Sequence, residues 1–182
     1  MGYFQQLALA GKCFFGSTTN AGVAIPAYNA TAQVFGLWNP AGSGVLLVLN
    51  KLAIAVATLG TNAVSAIGLS YLANAGASIA NGGPISAFTQ TASQNARVGN
   101  GLASKGRFTL SATITAPTFL MSLGMAQNAT TTQPVAEQAY NYDFNGSLIV
   151  PEGVYIGLGG SAAPGSTYQA TVSWAEVPVN VL

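Results

Sequence analysis

The chain has 182 residues, half of them hydrophobic, yet Lys, Arg, Asp and Glu make up only 5%, the formal net charge is +1, and there is one cysteine and no histidine. Ordinary globular domains carry roughly 25% charged residues, so most of the side chains that normally solvate a free surface are missing; a mean hydropathy of +0.44 excludes a disordered chain, and the single cysteine excludes a disulfide-built miniprotein. Polarity comes instead from 14 Ser, 16 Thr and 13 Asn, and the length suits one compact domain that buries most of its apolar surface.

Residues 1–28 mix aromatics, glycines and Pro26 without a sustained period and are expected to form an extended arm lying on a neighbouring surface. Lys12 follows the first apolar stretch instead of preceding it, so no secretory signal is expected. Gln6 stands where N-myristoylation wants Ser or Thr. Cys13 is read as a packing residue, consistent with folding in a reducing cytosol. Residues 29–182 are expected to form a single β domain. Strands are predicted over 31–38 and 45–58, joined by Asn39-Pro40-Ala41-Gly42-Ser43-Gly44, where proline sets φ and the glycines permit the left-handed region. Both phases of 45–58 are apolar ahead of Lys51, the pattern of a central strand covered on both faces.

Residues 52–96 carry no formal charge, which makes a bilayer helix a competitor. The best window, 54–72, is interrupted by Thr58, Gly60, Thr61, Asn62, Ser65, Gly68 and Ser70, and 59–62 reads as a turn. A strand is predicted at 65–72. Residues 73–106, rich in Gly, Ser, Asn and Ala, read as a long surface excursion.

Period-two alternation is clearest over 108–116, where Phe108, Leu110, Ala112, Ile114 and Ala116 share one face and Thr109, Ser111, Thr113 and Thr115 the other. Strands follow at 119–125, 140–144, 147–150 and 154–158, with Asn145-Gly146 a hairpin signal between two of them. Near the C-terminus Tyr168, Ala170, Val172 and Trp174 alternate with Thr167, Gln169, Thr171 and Ser173. The phase breaks at Glu176, which suggests a bulge or a strand leaving its sheet to meet a partner, and Pro178 favours a strand edge. Many short strands separated by turns indicate an all-β protein, an antiparallel β-sandwich or jelly roll with an extended N-terminal arm and a long surface loop.

Without histidine, Ser-His-Asp and Cys-His nucleophile arrangements are excluded, and one cysteine with four scattered carboxylates has no zinc-ligand spacing. Calcium on Asp143 and Glu137, or a glycosidase pair of Glu137 and Glu152, lacks any supporting motif, and solvated acids are the better reading. Gly157-Leu158-Gly159-Gly160-Ser161-Ala162 imitates a dinucleotide fingerprint. The helix that should follow is replaced by Ala163-Pro164-Gly165-Ser166 and another strand, so a flexible turn accounts for it better. The Asn29, Asn128 and Asn145 sequons are accidental in so Asn/Ser/Thr-rich a chain. No enzyme activity and no cofactor is expected.

All five bases, Lys12, Lys51, Arg97, Lys105 and Arg107, precede Phe108, and all four acids, Glu137, Asp143, Glu152 and Glu176, follow it. Either the charges mix on one surface, or one subunit's basic loop meets its neighbour's acidic half in a ring contact. Arg97, Lys105 and Arg107 are too few for a nucleic-acid footprint.

Two pieces, Phe35-Gly36-Leu37-Trp38-Asn39-Pro40-Ala41-Gly42-Ser43-Gly44 leading into 45–58, and Gly153-Val154-Tyr155-Ile156 with Ser173-Trp174-Ala175-Glu176-Val177-Pro178-Val179, resemble tailed-bacteriophage virion proteins over less than half the chain. The resemblance implies a capsid decoration or cement protein, a trimeric jelly roll assembled in the host cytoplasm and seated on the major capsid protein lattice. Neutral Ser/Thr/Asn faces can pack there with little charge desolvation. The expected interface residues are Trp38, Tyr168, Trp174 and Val177, with Arg97, Lys105, Arg107 and Glu176 as charged contacts and residues 1–28 as a clamp. Plain core packing is the competing reading of the aromatics. The rival functions are a tail- or head-fibre tip that binds a host surface and, third, a membrane-associated or pore protein.

Overall fold

The computed structural model describes residues 2–58, 65–99, 101–126, 139–163 and 165–181. Among them a short helix, α1 (Tyr3–Leu9), precedes thirteen strands. These are β1 (Cys13–Ser17), β2 (Val23–Ala24), β3 (Ala32–Gln33), β4 (Gly36–Asn39), β5 (Val45–Thr58), β6 (Ser65–Leu72) and β7 (Ile85–Thr91), then β8 (Gln94–Asn95), β9 (Arg107–Ile114), β10 (Thr118–Ala126), β11 (Tyr140–Val150), β12 (Val154–Gly160) and β13 (Thr167–Pro178). One sheet runs β11-β5-β13-β1-β8, with β2 also on β13; the other runs β10-β6-β12-β4-β9, with β3 and β7 on β9. Every pairing between these strands is antiparallel.

The protein is therefore an all-β antiparallel sandwich. Its main core lies between the sheets, with Leu47, Leu49, Leu52, Val172 and Trp174 from one facing Leu37, Ile67, Phe108 and Leu158 from the other. Four pairings are nested in the chain: β1 with β13, β4 with β12, β5 with β11, and β6 with β10. Successive pairs fall in alternate sheets.

The alternating strands form where the period predicts them. Tyr168, Ala170, Val172 and Trp174 are all buried, as are Phe108, Ala112 and Ile114. On β5 the inward positions switch from Val45, Leu47 and Leu49 to Leu52 and Ile54, because Asn50 has no opposite number on either neighbouring strand. That is a bulge. The C-terminal strand does not leave its sheet: β13 stays paired with β5 through Pro178. Glu176 keeps the inward phase opposite Leu47, and the pattern blurs because Ala175 and Val177 on the other face are buried too. Pro178 lies beyond the last β1 partner, Ala175, so its missing N–H interrupts no second ladder.

Four expectations are corrected. Residues 1–28 are not an extended arm: β1 hydrogen-bonds between β13 and β8, and Phe14 is part of the main core. A Cβ on Gly16 would stand 2.5 Å from Phe108, whose buried ring is packed edge-on against Phe35 at 5.1 Å. Gly16→Ala is accordingly expected to destabilise the protein by about 1–3 kcal/mol by overpacking, read as a lower urea midpoint; an unchanged midpoint would mean that β1 is not packed there.

The excursion at 73–106 is largely built into the sandwich. It adds β7 to β9 and β8 to β1, and its Ala75, Ile85 and Phe88 cover Trp38 and Tyr155 in a second core. Asn145-Gly146 makes no hairpin. With φ of 49° and 82° they form an outward bulge in one strand, Asp143 and Leu148 pairing with Lys51 and Leu49 of the same neighbour. The glycine run at 157–160 is not a flexible turn but the C-terminal half of β12, where Gly159 lets the backbone of Tyr28 approach. No helix among the described residues is long and apolar enough to cross a membrane, and the apolar window at 54–72 contains the end of β5 and all of β6. The turn expected at 59–62 lies outside the described residues.

Candidate interaction surface

The side chains nominated for an interface divide sharply by location. Trp38, Tyr168, Trp174 and Val177 are buried by their own chain, at 0, 1, 1 and 6% exposure, so none presents a contact surface. Trp174 stacks on Phe14 at 6.0 Å in the main core, and Trp38 meets Phe88 at 5.4 Å in the second core. Plain packing is the reading the structure supports for these four, because residues distant in sequence close over them.

The charged candidates are also engaged internally. Glu176, 4% exposed, turns its Oε1 into the end of the sandwich, where it accepts hydrogen bonds from Ser104 Oγ (2.6 Å), Lys105 N (2.6 Å) and Gly106 N (3.0 Å). Glu152 Oε1 accepts from Gly44 N and from Ser43 Oγ, holding the 40–44 turn. Asp143 forms an exposed salt bridge with Lys51 at 3.7 Å. Exposed Lys105 donates its Nζ to Ser43 O at 3.1 Å, and half-buried Arg107 lies over the Trp38 ring with its guanidinium carbon 5.1 Å from the centroid. Arg97 is separate, its Nη1 donating to Leu9 O at the end of α1.

A base from the first half and an acid from the second thus pair within one chain at Lys51–Asp143, whereas Lys105 meets Glu176 through its backbone N–H and turns its ammonium to Ser43 O. Glu137, one candidate for calcium or glycosidase chemistry, lies outside the described residues. Among the described residues no three His, Cys, Asp or Glu side chains gather at a metal-binding distance. Burial pushes the Cys13 thiol above its ordinary pKa, and its Sγ–H contacts Phe4 O at 3.7 Å. It is a neutral packing group.

What the sequence reading missed is an asymmetry between the two sides of the sandwich. On one side the sheets end in two-residue β8 and in β7, whose Ser, Thr and Gln side chains face solvent. On the other they end in β10 and β11, nine and eleven residues long, which among the described residues pair only with β6 and β5. These edges lie together, the Tyr140 hydroxyl donating to Met125 O. β10 carries no charge and exposes Phe119, Leu120 and Met125; β11 exposes Tyr142 and Ile149. The signal was present in Phe119-Leu120-Met121, three successive apolar residues that a one-sided strand does not need. Compared with protein-family models, with curated proteins and with solved structures, the chain matches none of them.

Proposed function

We propose that this all-β sandwich is a virion structural protein of the capsid-decoration or cement type, a homotrimer that bridges neighbouring subunits of the shell by non-covalent contacts. One observation carries the reading: on a chain with nine charged residues in 182, both sheets end on the same side in long strands with exposed apolar residues. A long edge strand with exposed apolar residues is a template for another chain: β10 carries no charge and the single charge of β11, Asp143, is paired with Lys51, whereas the opposite side is shortened to two residues at β8 and presents Ser, Thr and Gln at β7. The occupant we assign is a second copy of the chain, whose uncharged β10 edge brings no like-charge repulsion. The nested strand pairing supports the jelly-roll form of the sandwich, since two interlocked Greek keys give that order.

Cement requires contact area and no turnover, so the many Ser, Thr and Asn side chains serve as hydrogen-bonding surface that desolvates more easily than Lys or Glu. Sedimentation of the purified chain tests the self-association. Leu120→Lys combined with Met125→Lys, two exposed positions on β10, is expected to raise the dissociation constant roughly a hundredfold while leaving the circular dichroism unchanged. A wild-type chain that sediments as a monomer, or a variant that associates equally well, would overturn the assignment. Copy number in the particle then decides location: hundreds of copies support cement, and a few at one vertex or tail support a fibre tip.

A further inference from the structure

Where the 40–44 turn meets residues 104–107, the surface folds into an open cleft of about 430 Å³ lined by Gly42, Ser43, Gln90, Ser104, Lys105 and Arg107, among others. That volume lies within the roughly 300–1,000 Å³ of small-molecule sites. Both ionisable residues of its lining are cations. The carboxylates closest in structure are already committed: Glu176 to the Ser104, Lys105 and Gly106 donors, and Glu152 to the turn at Ser43 and Gly44. Among the described residues, neither Lys105 nor Arg107 forms a salt bridge; the one present is Lys51–Asp143.

Arg107 holds its guanidinium carbon 5.1 Å from the Trp38 ring centroid and lines the cleft, and its planar fork of N–H donors is the side-chain group best suited to a planar or tetrahedral oxyanion. Lys105 spends one ammonium proton on Ser43 O and retains two. The remaining lining combines the small apolar Pro40, Ala41 and Ala77 with Gly42, the Gln90 amide and the Ser43 and Ser104 hydroxyls, a mixed surface that suits the hydroxyls and C–H faces of a sugar.

We propose that this cleft binds an acidic saccharide through its oxyanion, a carboxylate or phosphate ester, with Arg107 gripping the oxygens edge-on, Lys105 supplying the second charge, and Gln90 and Ser104 meeting the sugar hydroxyls. The inference does not rest on the cement reading: a chain that fails to trimerise can still bind the sugar, and a cement protein can lack the site. Glu152 and Glu176 offset the two cations at a distance, so affinity comes from the direct contacts and falls with added salt.

The test is a titration of the full chain, followed by amide chemical shifts, with glucuronate, glucose 6-phosphate, neutral glucose and inorganic phosphate in turn. Glucuronate or glucose 6-phosphate is expected to move the amides of Gly42, Ser43, Ser104, Lys105 and Arg107, and the tighter of the two identifies the oxyanion. Neutral glucose is expected to leave them in place. Arg107→Gln and the fully surface-borne Lys105→Gln should each weaken binding roughly tenfold or more; the lysine variant keeps the test valid should loss of the Trp38 contact disturb folding. The proposal is overturned if no sugar acid shifts these amides up to about 10 mM, if glucose binds equally, or if inorganic phosphate binds as tightly as either sugar acid.

Discussion

Trp174→Ala is expected to destabilise the protein by about 3–5 kcal/mol, the range for truncating a large buried aromatic. The indole is 1% exposed, stacks on Phe14 of β1, and sits on β13 directly opposite that residue and beside Leu49 of β5. It therefore ties together the three central strands of one sheet. Its Nε1 has no hydrogen-bond partner among the described residues, so the loss is one of packing and cavity formation. The measurement is a urea unfolding curve at several protein concentrations. A core role lowers the midpoint by the same amount at each concentration, whereas an interface role would leave the monomer intact and make the loss vanish on dilution. A change below about 1 kcal/mol would reject the packing described for this ring.

The contrast between Trp174 as a core residue and as an interface residue also marks where the sequence stops being informative. Alternation places Tyr168, Ala170, Val172 and Trp174 on one face of a strand, and the structure keeps them there; it cannot say whether that face meets the same chain or another. Trp38 illustrates the same gap. Its strand is half-predicted from the turn that follows, but its cover is Phe88 and Arg107, dozens of residues away.

Short strands escaped for a different reason. β1 has only five residues, with Phe14 and Gly16 inward and Phe15 exposed at 40%, so one outward aromatic erased the period. β7 and β8 carry largely polar side chains and gain their place from long-range pairing with β9 and β1. Asn145-Gly146 delivered the left-handed conformation its residues prefer, yet β5 is long enough to pair with the segments on both sides, which converted a hairpin into a bulge. The cleft of Lys105 and Arg107 was legible only as two nearby cations, because its opposite wall, the 40–44 turn, is brought there by the sandwich.

Glu176→Ala is expected to lower stability by about 3–4 kcal/mol, an effect of similar size from a different cause. The carboxylate faces inward opposite Leu47 and is the common acceptor of one hydroxyl and two backbone N–H groups, of which Gly106 is itself buried. Hydrogen bonds to a charged group contribute about 1.5–3 kcal/mol each, and every buried donor left without a partner adds a desolvation penalty of about 1–3 kcal/mol. Ser104 can still donate to Gly106 O at 2.8 Å, which keeps the sum below the simple total. Glu176→Gln retains an acceptor oxygen without the charge and should cost about half as much. Amide hydrogen exchange separates this anchor from a contact between subunits: Lys105 and Gly106 should lose protection in the alanine variant at concentrations where the chain is monomeric. If those amides stay protected and the unfolding midpoint moves little, residues 104–106 are held by something other than Glu176, and the end of the sandwich below the proposed cleft is closed in another way.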